Sequence, residues 1–107
     1  MSLIDVATTI GNVLTQIDTT LQKPGLSDPD WQVLYALRKH LDDQQRELVA
    51  ESINEEDSTY QELTVQLKKA SGNLNAVLGD LTKVSSIITT ISQIASYADQ
   101  ILKLVGA

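Results

Sequence analysis

Residues 58–105 read STYQELTVQLKKASGNLNAVLGDLTKVSSIITTISQIASYADQILKLV. Stepping three and four residues alternately from Tyr60 reaches Leu63, Leu67, Ala70, Leu74, Val77, Leu81, Val84, Ile88, Ile91, Ala95, Ala98, Leu102 and Val105. Every position in this series is apolar or aromatic, in a chain that is only 42% hydrophobic. Such a series is the a/d seam of a coiled-coil-type helix. The phase runs through Gly72 and Gly79 without a slip, although each glycine costs about 1 kcal/mol in a helix interior. Because a turn normally loses phase, the spacing predicts one helix over 58–105, about 70 Å long at about 1.5 Å per residue. The alternative is a break near Gly72 or Gly79, with Asp80 as the next cap, which gives a compact four-helix bundle.

Upstream, Lys23-Pro24-Gly25-Leu26-Ser27-Asp28-Pro29 is the strongest breaker in the chain. Asp28 followed by Pro29 fits an N-cap with proline at the first helical position. Ser2 with Asp5, and Ser58 with Gln61, fit capping boxes, the second after the softer break Asn54-Glu55-Glu56-Asp57. These signals place helices at about 2–22, 29–52 and 58–105, and no segment alternates as a strand does. The expected fold is all-α: an elongated helical hairpin or three-helix bundle built on the long C-terminal helix, with residues 1–107 as a single domain. Helix one carries Leu3, Ala7, Ile10, Leu14, Ile17 and Leu21, flanked by Val6 and Val13. Helix two carries Trp31, Leu34, Leu37, Leu41 and Leu48, with Gln44 and Gln45 where the seam would cross. The simple arrangement runs helix two antiparallel to the near half of helix three and helix one along the far half. That register would set Asp42 and Asp43 level with Lys68 and Lys69.

The C-terminal half carries more apolar surface than one neighbouring helix needs. Ile87, Ile94 and Ile101 recur at intervals of seven beside the seam. With Ile91 and Ala98, and with Val6 and Val13 of helix one, they are expected either to wrap into a three-helix core within the chain or to form a partner-binding surface used in self-association. Trp31, the only tryptophan, packs against Leu26 or the end of helix one, or serves as a binding hot spot. Tyr35, Tyr60 and Tyr97 are expected at helix edges, with their hydroxyls in water.

Charge is segregated. The net charge is −6, with 14 acids against 8 bases, which argues against a nucleic-acid binder. Residues 28–62 hold ten acids and three bases. Asp42, Asp43, Glu47, Glu51, Glu55 and Glu56 form the candidate acidic face. Val6–Ile17 and Val84–Ala98 carry no charge and mix aliphatic residues with Ser and Thr. Surface-seeking membrane helices carry Lys or Arg on the polar face, so membrane insertion is not favoured. No signal peptide is visible, so the expected location is the cytoplasm, or outside after export by another route.

Chemistry is sparse. There is no Cys and one His, which excludes a thiolate metal site and a cysteine nucleophile. His40 lies among charged neighbours, and no second histidine completes a metal site. No phosphate loop or nucleophile–base pair stands out. We therefore expect no catalytic residue, no metal and no cofactor. The expected function is a non-catalytic protein–protein interaction module, with a homo-oligomer as the first expectation. One rival is an acidic inhibitor that masks a basic partner surface. Another is a helical subunit of a secretion filament or pore-forming assembly. The stretch Leu21 to Pro29 is similar to the Pro-x-Asp-Pro-type turn of type III secretion needle subunits, which are small helical hairpins that polymerise. Leu26 stands where that turn has its first proline, and the long third segment has no counterpart there. The resemblance implies a helical hairpin here and carries no functional residue over.

Overall fold

The computed structural model describes residues 1–105. It holds four α-helices: α1 (Leu3–Leu21), α2 (Asp28–Val49), α3 (Ser58–Val77) and α4 (Val84–Val105), with a 3₁₀ turn at Leu81–Lys83. There is no strand among the described residues. The helix starts follow from side-chain acceptors that satisfy free backbone N–H groups. The Ser2 hydroxyl accepts from Asp5 N–H at 3.0 Å, and the Asp5 carboxylate accepts from Ser2 N–H at 3.1 Å, the predicted capping box. The other two caps each lie one residue earlier than expected. Ser27 caps α2 by accepting from Asp30 N–H, and Asp57 caps α3 by accepting from Tyr60 N–H at 2.9 Å.

The unbroken helix over 58–105 is overturned. α3 stops at Val77, and Asp80 takes an extended backbone (φ −121°, ψ 101°). Its side chain then accepts from Thr82 and starts a new turn. Two groups favour the stop. The Lys23 ammonium donates to the Leu78 carbonyl at 3.1 Å, which satisfies an acceptor that a continuing helix would have used itself. Gly79 contributes low helix propensity at the same point. The particle measures 44 × 22 × 17 Å, with a radius of gyration of 13.9 Å, far shorter than an unbroken third helix requires. The outcome is the compact four-helix bundle.

Its layout also differs from the expected hairpin. α1 packs antiparallel on α2, and α3 packs antiparallel on α4. The two hairpins then stack with α2 beside α4 and α1 more loosely beside α3. α2 and α3 are therefore diagonal rather than adjacent. Asp42 pairs with Arg46 on its own helix at 2.9 Å, and the Asp42/Asp43 to Lys68/Lys69 register does not form. Direct bonds show the neighbours. On the α1–α3 side the Gln16 amide donates to the Asn75 side chain. On the α2–α4 side the Gln44 amide donates to the Ala95 carbonyl at 2.9 Å and to the Asp99 carboxylate at 2.7 Å. The Gln45 amide donates to the Ala7 carbonyl of α1 at 3.0 Å. The two glutamines that interrupt the apolar stripe of α2 are thus polar links to its two neighbours.

The core draws on all four helices. Val6, Ile10, Val13, Ile17, Leu34, Leu41, Leu48, Leu67, Leu74, Ile87, Ile91, Ile94 and Ile101 are fully enclosed. On α4 the enclosed stripe is rotated from the expected seam. Ile87, Ile94 and Ile101 are buried, while Ile88, Leu102 and Val105 are half-buried. α4 needs the wide stripe because it touches both α3 and α2.

The charge-free faces are satisfied locally. Thr8, Thr9, Thr15, Thr19 and Thr20 on α1 each donate a hydroxyl hydrogen to the carbonyl four residues back, at 2.9–3.2 Å. Ser92 does the same to Ile88 on α4 at 2.8 Å. Hydroxyls in this mode meet their own hydrogen-bonding need without a charged partner. No helix among the described residues is long and apolar enough to cross a membrane.

Candidate functional site

The core consumes most of the expected partner surface. Ile87, Ile91, Ile94, Ala98, Ile101, Val6 and Val13 are all 0% exposed. Their excess over a two-helix seam is used within the chain, since each helix of the bundle meets two others. Trp31 is the exception, at 39% exposed. Its indole N–H donates to the Leu21 carbonyl at 3.2 Å, so the ring packs on the end of α1 as expected while one face stays open. Tyr60 departs from the expectation for the tyrosines. It is 0% exposed, and its hydroxyl donates to the Met1 carbonyl at 2.6 Å.

The outer surface of α2 is where exposed apolar groups collect. Trp31 and Tyr35 stack with ring centroids 5.1 Å apart and planes 8° apart. They lie four residues apart on one helix, the spacing at which side chains meet. Tyr35 is 45%, Val33 44% and Val49 58% exposed. Buried Leu34, Leu41 and Leu48 fix the inner face of α2, which puts Trp31, Tyr35 and Val49 on its flank toward α1. Trp31 and Val49 are 18 residues apart in the sequence. That interval is about five turns at about 3.6 residues per turn, so both point the same way.

A shallow cleft of about 400 Å³ runs along this flank, lined by Asp18, Leu21 and Gln22 of α1 and by Trp31, Tyr35, Arg38 and Lys39 of α2. Arg38 is held by Asp18 through two bonds, Nε to Oδ1 at 2.8 Å and Nη2 to Oδ2 at 3.3 Å. The Asp18 carboxylate raises the Arg38 guanidinium above its ordinary pKa, chiefly through this hydrogen bonding. The fork is thereby fixed in place beside the aromatic pair. Lys39, one residue on, is exposed and makes no ion pair among the described residues.

The acidic residues do not gather into one site. Asp42 is half-buried and pairs with Arg46, while Asp43 and Glu47 lie on the exposed outer side of α2. Glu51, Glu55 and Glu56 belong to the exposed loop after α2, where Glu55 comes within 3.9 Å of the chain's N-terminal ammonium. His40 faces Asp99 of α4 at 3.4 Å. No cluster of three or more His, Cys, Asp or Glu side chains among the described residues is placed to hold a metal ion.

The sequence pattern singles out Trp31 but misses Tyr35, Val33 and Val49. The available signal was positional. Once Leu34, Leu41 and Leu48 define the inward direction at an interval of seven, large apolar residues elsewhere on the helix point outward. No family model matches the chain, and no curated protein or solved structure matches it either.

Proposed function

We propose that this chain is a non-catalytic protein-binding module whose partner docks on the outer face of α2, centred on Trp31 and Tyr35. The observation that carries the reading is the stacked, half-exposed Trp31–Tyr35 pair beside the fixed Arg38 guanidinium. Tryptophan, tyrosine and arginine are the residues that dominate binding energy at protein interfaces. An aromatic pair already stacked in the free chain loses little side-chain freedom when a partner covers it.

The test is a photo-crosslinking amino acid at exposed Ala36, compared with the same group at exposed Gln93 on the outer face of α4. Adducts with a second polypeptide, identified by mass spectrometry, are expected from position 36 and not from position 93. They should disappear in Tyr35→Ala. No adduct from position 36, or equal adducts from both, would overturn the proposal.

A second reading has its own support. Asp43, Glu47 and Glu56 are exposed and carry no ion pair among the described residues, a surface suited to a basic partner. Binding that weakens steeply between low and physiological salt would favour it over the aromatic site.

A further inference from the structure

We infer that the segment docking on the Trp31–Tyr35 face carries a carboxylate close to an apolar side chain, and that the open edge of the Arg38 guanidinium, with Lys39 beside it, receives this carboxylate. The inference rests on the protein-binding reading above and names the chemistry of the partner.

The Arg38 fork is half-used. A guanidinium holds five N–H donors in one fixed plane. Asp18 occupies one side of that plane, accepting from Nε at 2.8 Å and from Nη2 at 3.3 Å. The other three hydrogens, two on Nη1 and one on Nη2, meet no acceptor among the described residues. One hydrogen from each of these two nitrogens forms the end edge of the fork, and the pair is spaced to meet both oxygens of a carboxylate. The side chain is 32% exposed, so a partner can reach it. Asp18 already fixes the plane, so little side-chain freedom is lost when a second carboxylate arrives.

The charge of the cleft favours the same class of partner. Its charged lining residues are Asp18, Arg38 and Lys39. Asp18 is taken up by Arg38, and Asp42, one turn further along α2, by Arg46 at 2.9 Å. Lys39 is exposed and makes no ion pair among the described residues. The cleft therefore offers one uncompensated cation on a chain whose net charge is −6. An acidic group is attracted to this spot and a basic one is repelled.

The apolar half of the site lies next to the charged half. Arg38 and Lys39 follow Tyr35 by three and four residues, about 5–6 Å along the helix, and Arg38 lies about 10 Å from Trp31. An extended peptide covers about 5–10 Å in two or three residues. The matching segment thus has Asp or Glu within two or three residues of an aliphatic or aromatic side chain.

The probe is a phage library of random peptides selected on the full native chain, followed by synthetic copies of the selected sequences. These sequences are expected to carry the acidic–apolar pair and to bind with Kd on the order of 10–100 µM in fluorescence polarisation. Tyr35→Ala should weaken binding roughly tenfold. Lys39→Ala, at an exposed site that the fold tolerates, should weaken it roughly threefold. Arg38→Lys should weaken it roughly tenfold, because an ammonium keeps the charge but cannot offer two parallel donors. Replacing the acid of the peptide by its amide should cost about as much, and little further in the Arg38→Lys protein, since both changes remove the same contact. Selected peptides that lack an acid, or that are rich in Lys and Arg, overturn the inference. A library that yields no peptide dependent on Tyr35 overturns it too, as does an affinity indifferent to both Arg38→Lys and the amide. If position 36 still crosslinks to a second polypeptide in any of these cases, the protein-binding reading survives without this chemistry.

Discussion

The Asp80 carboxylate accepts two hydrogen bonds from Thr82, one from its backbone N–H at 3.0 Å and one from its hydroxyl at 2.6 Å. This contact turns the sequence after Gly79 from the interior of a helix into the start of one. Both bonds hold the Asp80 carboxyl below its ordinary value of 3.8. Because the folded value is depressed, the contribution to stability is full above pH 3.8 and is lost as pH falls through the lower folded value. Asp80→Ala is expected to lower the melting temperature by roughly 5 °C at neutral pH. The difference from native should shrink in acid. Thermal scans of both proteins at pH 7 and pH 3 check it, and a pH-independent difference would rule the cap out.

The glycines separate by backbone. Gly72 sits inside α3 with open space where a Cβ would go. Gly72→Ala should therefore stabilise by about 0.5–1 kcal/mol, through lost flexibility of the unfolded chain and higher helix propensity. Gly25 has φ +93° in the turn between α1 and α2, a conformation that side chains rarely adopt. Gly25→Ala should destabilise by about 1–2 kcal/mol. Urea titrations of the two variants should move the midpoint in opposite directions.

Ile87, Ile91, Ile94 and Ile101 of α4 are enclosed in the core. Ile94→Ala should cost about 2–5 kcal/mol of monomer stability, from lost burial and the cavity it leaves. Ile4, 67% exposed on α1, should tolerate the same change within about 0.5 kcal/mol. Chemical denaturation of the two variants at matched, dilute concentration separates them. An Ile94→Ala protein as stable as native would show that residue to be surface.

Tyr60 predicts an alkaline limit. Burial, with smaller contributions from the charges of Glu55 and Asp5, raises its hydroxyl to about 12 from an ordinary value of 10.0. The raised folded value means that the stabilisation is complete below pH 10 and is lost as pH climbs from 10 toward 12. The loss should reach about 2 kcal/mol, since each tenfold change in proton affinity is worth about 1.4 kcal/mol. Tyr60→Phe removes this dependence, together with the bond to the Met1 carbonyl. Native and variant denaturation curves at pH 8 and pH 11 should therefore diverge at the lower pH and converge at the higher one.

Much of the local structure is legible in particular residues. Ser2 with Asp5 marks the start of α1, Pro24-Gly25 marks its end, and the spacing of Leu34, Leu41 and Leu48 gives the inner face of α2. The heptad series from Tyr60 to Leu74 marks the buried side of α3. These features depend on interactions within a few residues, which sequence spacing records directly. The candidate site is legible only at Trp31.

The sequence by itself determined that the chain is helical, where most helices begin, and which residues avoid water. The tertiary structure decided which of them meet. Phase continuity through Gly79 shows that each side is helical in the same register, but two separate helices can share a phase. Only the Lys23 bond to Leu78, which comes from a turn distant in sequence, and the close packing of α4 against both α3 and α2 select the break. The same packing encloses Ile87, Ile94 and Ile101 and leaves Trp31, Tyr35 and Val49 at the surface. A side chain's hydrophobicity says that it seeks cover, and the number of neighbours around its helix decides whether the chain provides that cover itself.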